Sequence, residues 1–222
     1  MLKQKYLSKP SAIATYDYTD VASGTGYSVF YGGTVNTSGS YVLADNSYYS
    51  NTVTTWRVAT ATMTKLIDAD FDVQINRPLI VDGDFIVSLS LGIGRKTPAA
   101  PGYTTTANLS GAIILDDGSE NVLGTFTSTN LVAVDASEPF KTKVMTMSTP
   151  VSLTQFKSGN ILRVTIEGWA KVDSAYEAYV GIGHDAKNRN DPEAVRKTIY
   201  DESTSSYGPT IMEVHVPFKV DV

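Results

Sequence analysis

IDADFDVQIN, residues 67–76, alternates without a break. Ile67, Ala69, Phe71, Val73 and Ile75 fall on one side, and Asp68, Asp70, Asp72, Gln74 and Asn76 on the other. Successive side chains of an extended chain point to opposite sides, so a period of two residues marks a strand with one buried and one wet face. A helix would scatter the same apolar set around its axis. The segment therefore places the chain among β proteins, and the question becomes how many such strands flank it.

Outward from it the pattern recurs. FIVSLSLGI, residues 85–93, puts Phe85, Val87, Leu89, Leu91 and Ile93 on one face, and Asp82-Gly83 just before it is a turn signal. AIILDDGSENVLGTF, residues 112–126, sets Asp117-Gly118 between two apolar runs, which predicts a hairpin. SGNILRVTIEGWA, residues 158–170, turns Leu162, Val164 and Ile166 inward and Arg163, Thr165 and Glu167 outward, and SAYEAYVGIG follows as its neighbour. In IMEVHVPFKV, residues 211–220, Met212, Val214, Val216, Phe218 and Val220 share a face opposite Glu213, His215 and Lys219. Pro217 cannot donate to a ladder, so this strand is expected at a sheet edge or to stop pairing there. Only DPEAVRKTIYDE, with Asp191 as N-cap and Pro192 behind it, reads as a helix, and a short one. The expected fold is an all-β, antiparallel sandwich of jelly-roll type with long loops and at most one short helix. A basic arm over residues 1–10 precedes a single domain over 11–222.

Composition agrees. Charged residues are 18% of the 222 and tyrosine occurs 13 times, a palette suited to half-buried pleated surfaces. A net charge of −5 argues against a nucleic-acid partner, which demands a dense basic face. Without cysteine there is no disulfide framework and no thiolate metal site. The start lacks the apolar core of a signal peptide and no run is long enough to span a bilayer, so a soluble protein without a membrane partner is expected. Lys3, Lys5 and Lys9 face no acid in the first ten residues, and no Lys or Arg occurs from Ser11 to Trp56, which suggests an arm that contacts a partner. Two long stretches, residues 21–52 and 95–108, read as irregular; Tyr27, Tyr31, Tyr41, Tyr48 and Tyr49 either line a contact surface there or decorate strands.

Chemistry is sparse. His184 and His215 are the two histidines, and no G-x-S-x-G elbow accompanies them. Asp68, Asp70 and Asp72 stand about 7 Å apart on one strand face, a spacing that glycoside hydrolysis could use, but the run continues into Gln74 and Asn76 as any solvated face does. Two GIG copies, Gly92-Ile93-Gly94 and Gly181-Ile182-Gly183, follow strands without opening a helix, so they fail as dinucleotide fingerprints and hint at equivalent positions in two sheets. The loop GHDAKNRND offers Asp185, Asn188, Asn190, Asp191 and Glu193 as hard oxygen ligands, yet Lys187 and Arg189 within it repel a cation. An Asx-rich turn with Arg189 paired to a nearby carboxylate accounts for it better. No cofactor, metal or catalytic residue is expected.

The succession FKSGNILRVTIEGWA, AYVGIGHDAKNRND and a closing EVHVPFKVDV resembles structural proteins of tailed-bacteriophage virions, in particular jelly-roll capsid auxiliary or decoration proteins. The likeness covers about the last third of the chain. It implies a virion protein without enzymatic activity that forms a homo-oligomer, commonly a trimer, and docks on the major capsid protein or other virion proteins. His184, Asp185, Asn188, Arg189 and Asp191 then form a structural or contact loop, and Lys3, Lys5 and Lys9 a partner-contact arm. The alternative is a carbohydrate-binding sandwich, with Trp56, Trp169 and the tyrosines stacking on sugar rings.

Overall fold

The computed structural model describes residues 25–35, 40–46, 54–95, 103–134, 140–173, 177–184 and 212–219. Among these residues twelve strands form one continuous sheet. Its spine is β5 (Leu79–Arg95), paired along one edge with β9 (Phe140–Phe156) from Leu79↔Phe156 to Gly94↔Phe140. The other edge of β5 is shared. Residues 80–89 take β12 (Met212–Lys219), and residues 90–95 take β11 (Ala178–Gly183), which in turn holds β3 (Thr54–Ala59). Beyond β12 lie β1 (Thr25–Val35) and β2 (Ser40–Ala44).

The other half is built on β10 (Ile161–Val172), flanked by β4 (Thr64–Gln74) and β6 (Thr104–Asp116). The far edge of β6 is divided between β7 (Glu120–Thr127) and β8 (Leu131–Val134). Among the described residues a single parallel bridge, Val42↔Asp72 between β2 and β4, joins the halves, and the other pairings are antiparallel. The fold is all-β and sandwich-like, with no helix among the described residues. The expected helix over 191–202 lies outside them.

Alternation predicted the core well. Phe71 and Ile67 from β4, Phe85, Val87, Leu89 and Leu91 from β5, Leu162, Val164 and Ile166 from β10, and Met212, Val214 and Val216 from β12 are all buried in one cluster. Each such side chain contributes about 1.5 to 3 kcal/mol by leaving water. The two halves therefore pack inward face to inward face, as in a sandwich.

Local expectations are met in part and corrected in part. Asp82-Gly83 is no hairpin turn: Gly83 has φ +126° and sits in a bulge inside β5, because β9 is long enough to pair on both sides of it. Asp117-Gly118 does turn, with Gly118 at φ +101° and its N–H donating to Asp116 Oδ1 at 3.0 Å. Pro217 does not mark a sheet edge, since β12 is paired on both sides, but the other expectation holds toward β5, where pairing is interrupted between His215 and Lys219. The tyrosine-rich stretch contains β1 and β2, and Thr104–Asn108 open β6, so much of both "irregular" segments is strand.

The GIG copies meet in one sheet rather than at matching places in two. Gly92 lies opposite Gly181 and Gly183 opposite Ser90, while Ile93 and Ile182 turn into the core. β11 is accordingly a neighbour of β5 and not of β10.

Candidate contact and ligand surfaces

The outward residues of β4, β10, β6 and β7 stand in rows, because antiparallel partners in register share a face. Asp72, Arg163, Ile114 and Val122 make one row; Asp70, Thr165, Ala112 and Thr125 the next; Asp68, Glu167, Ser110 and Thr127 a third; Lys65, Trp169 and Asn108 a fourth. The aspartate ladder of the sequence thus meets a second ladder, Arg163-Thr165-Glu167, residue for residue.

Those groups bind one another. Arg163 holds Asp72 with two parallel bonds, Nε to Oδ1 at 2.8 Å and Nη2 to Oδ2 at 2.9 Å, donates to Glu120, and lies 3.9 Å from Asp116. Its guanidinium is held above its ordinary pKa by the Asp72 hydrogen bonds. Thr165 donates to Asp70 at 2.7 Å. Lys65 bridges Asp68 at 2.7 Å and Glu167 at 3.1 Å, separating two carboxylates that would otherwise repel across the strands. Glu167 Oε2 also accepts from Ser110 Oγ at 3.0 Å and Trp169 Nε1 at 3.1 Å. Burial alone pushes the Glu167 carboxyl up, but bonds from Lys65, Trp169 and Ser110 outweigh it and hold it below the ordinary value. A general acid needs the opposite displacement.

Between the outer rows the surface dips. Thr165, Ala112 and Ser110 are short, while Arg163 on one side and Trp169 with Glu167 on the other are longer side chains. The result is a trough of about 350 Å³ lined by Ser110, Ala112, Ile114, Thr125, Thr127, Thr165 and Glu167. Beneath it Gly111 lets the backbone pass closely: a Cβ there would come 2.0 Å from the Thr165 carbonyl and 2.7 Å from the Phe126 ring.

The outer face of the other half differs. Rows Thr146-Ser88-Glu213-Tyr31 and Ser148-Ile86-His215-Val29 cross β9, β5, β12 and β1. Ser88 and Thr146 share a hydrogen bond at 3.2 Å, and Tyr27 sets its ring edge to His215, centroids 6.4 Å apart. Glu213 and His215 are 3.7 Å apart, and these two are the only ionisable groups in the rows apart from Tyr31. Val144, Thr146, Ser148 and Pro150 expose the β9 side of this face.

Of the residues singled out in the sequence, His184 is fully buried just after β11, edge-on to Tyr41 (5.4 Å) and Phe71 (5.8 Å). Burial lowers its pKa to about 4. Asp185, Asn188, Arg189 and Asp191, like Lys3, Lys5 and Lys9, lie outside the described residues. Trp56 pairs through its backbone with Gly181, and Trp169 is in the fourth row of the charged face. Ser110, Ala112, Thr125 and Thr127 went unremarked in the sequence; each is an outward strand position, but only the register brings them together. Among the described residues no group of three or more His, Cys, Asp or Glu is placed to hold a metal, and no helix is long and apolar enough to cross a membrane.

No protein-family model matches the chain, and no curated protein matches it. Among solved structures, a CocE/NonD family hydrolase from Staphylococcus aureus is similar in two crystal structures, at TM-score 0.43 and 12% identity over 87% of this chain, and TM-score 0.45 and 11% identity over 89%. An aminopeptidase from the marine sediment archaeon Thaumarchaeota archaeon is similar at TM-score 0.47 and 10% identity over 86% of this chain. In each case the chain spans 37% of the other protein's length. At such values the likeness carries no inference about activity.

Proposed function

We propose that this chain is a structural protein of a virion, without enzymatic activity, of the capsid auxiliary or decoration kind. It assembles as a homo-oligomer, with a trimer favoured, and attaches to the major capsid protein or to other virion proteins. The observation that supports the reading is the middle of the outer face of β9, β5, β12 and β1, where Thr146, Ser148, Ser88, Ile86 and Tyr31 leave Glu213 and His215 as the only charged partners and Asp84 stands beside Pro150 at the margin. Covering such a face with another protein strips few ions of water, so little desolvation opposes the contact. The charged face, by contrast, already satisfies its ions internally.

Mass photometry and light scattering of the purified chain test this. The expected result is a discrete oligomer at micromolar concentration that Ile86→Asp with Thr146→Asp shifts toward monomer while the unfolding transition stays cooperative. A wild-type monomer without propensity to bind capsid-protein assemblies would overturn the reading.

A further inference from the structure

The trough on the charged face has a chemistry of its own, independent of the assembly proposed for the opposite face. Its floor is apolar, with Ala112 and Ile114 lined up beside Gly111 and Phe126. Its walls are hydroxyls. Thr125 and Thr127 are exposed and carry hydroxyls that no other described side chain engages. Thr165 spends its proton on Asp70 and keeps lone pairs for an incoming donor. Ser110 is fixed between Trp169 Nε1, which donates to it at 3.1 Å, and Glu167, to which it donates.

These groups discriminate between ligand classes. An anion meets Glu167 and the Asp70 and Asp68 carboxylates behind it, and none of the lining residues is a cation. A cation meets a Glu167 whose oxygens already accept from Lys65, Ser110 and Trp169. What fits is a neutral ligand with one C–H face for the apolar floor and hydroxyls around its rim for the threonines. We propose that this trough binds a neutral sugar ring or short neutral oligosaccharide, its apolar face on Ala112 and Ile114 and its hydroxyls on Thr125, Thr127 and Thr165. Ser110, Glu167, Lys65 and Trp169 are held in place by mutual hydrogen bonds before the ligand arrives, which lowers the ordering cost of binding. A volume of about 350 Å³ is at the low end of small-molecule clefts. Because sugar hydroxyls exchange water for protein partners, affinity on the order of a millimolar Kd is expected.

The experiment is an amide-shift NMR titration of the isotope-labelled full chain with cellobiose, lactose and N-acetylglucosamine, each to tens of millimolar. At least one sugar should shift amides of β6, β7 and β10 around Ser110, Ala112, Thr125 and Thr165. Ala112→Leu, which fills the floor, should abolish those shifts. Thr125→Val with Thr127→Val keeps the shape, removes two hydroxyls and should weaken binding roughly threefold to tenfold without lowering the melting temperature. No shift with any of the three sugars, shifts confined to other strands, or full binding by both variants would overturn the proposal. An oligomeric wild type that binds no sugar would sink this site while leaving the assembly reading intact.

Discussion

The two outer faces of this sandwich solve the same problem in opposite ways. On β4, β10, β6 and β7 nearly every outward ion has a partner across the strands, so Arg163, Lys65 and Glu167 tie three strands together. On β9, β5, β12 and β1 cohesion comes from backbone pairing and from short contacts such as Ser88 to Thr146, and among the central rows Glu213 and His215 are the charged pair. The difference teaches where specificity is stored. The first face is internally committed, with a dip of short residues in its middle; the second is available to be covered.

The largest effect tests the seam between them. His184 lies where β11 ends, against Tyr41 of β2 and Phe71 of β4, close to the parallel bridge. Its folded pKa of about 4 is below the ordinary 6.5, so the unfolded chain binds a proton first as pH falls. Stability is then flat above pH 6.5 and drops between 6.5 and 4, by about 3 kcal/mol in all at ~1.4 kcal/mol per unit. Glu167, held below its ordinary 4.5, supports the charged face above that value and loses its contribution only at lower pH. Urea unfolding from pH 8 to 4 should therefore show loss starting near 6.5. A wild type whose stability is unchanged down to pH 5 would remove His184 from the interior.

Next in size is Arg163→Ala, which leaves Asp72, Asp116 and Glu120 clustered without their cation. Charge-assisted bonds of this kind contribute about 1.5 to 3 kcal/mol each before solvent screening, and Arg163 is largely shielded at 19% side-chain exposure. A fall in melting temperature of roughly 3 to 8 °C is expected by calorimetry, shrinking in high salt. Glu120→Ala, on the exposed side of the same cluster, should do far less.

Smallest is Ser88→Ala on the face of β9, β5, β12 and β1. Its bond to Thr146 is exposed, so melting should move within about half a kcal/mol of wild type. If Ser88→Ala and Arg163→Ala proved equally damaging in thermal unfolding, the contrast between a committed and an available face would be lost.

By itself the sequence determined which side of the strongly alternating strands is buried, because alternation is written within a few residues and needs no partner. Ile67 to Ile75, Phe85 to Ile93 and Leu162 to Ile166 were legible for that reason, as was the Asp117-Gly118 turn. What each strand pairs with was decided elsewhere. Gly83 satisfies a turn and a bulge equally well, and only the 17-residue length of β9 selects the bulge. The GIG glycines became neighbours, and Ser110, Ala112, Thr125, Thr165 and Glu167 became one trough, through registers linking residues up to about ninety positions apart. Such pairings are fixed by long-range burial and hydrogen bonding in the folded sheet, a physical choice that no local pattern of side chains encodes.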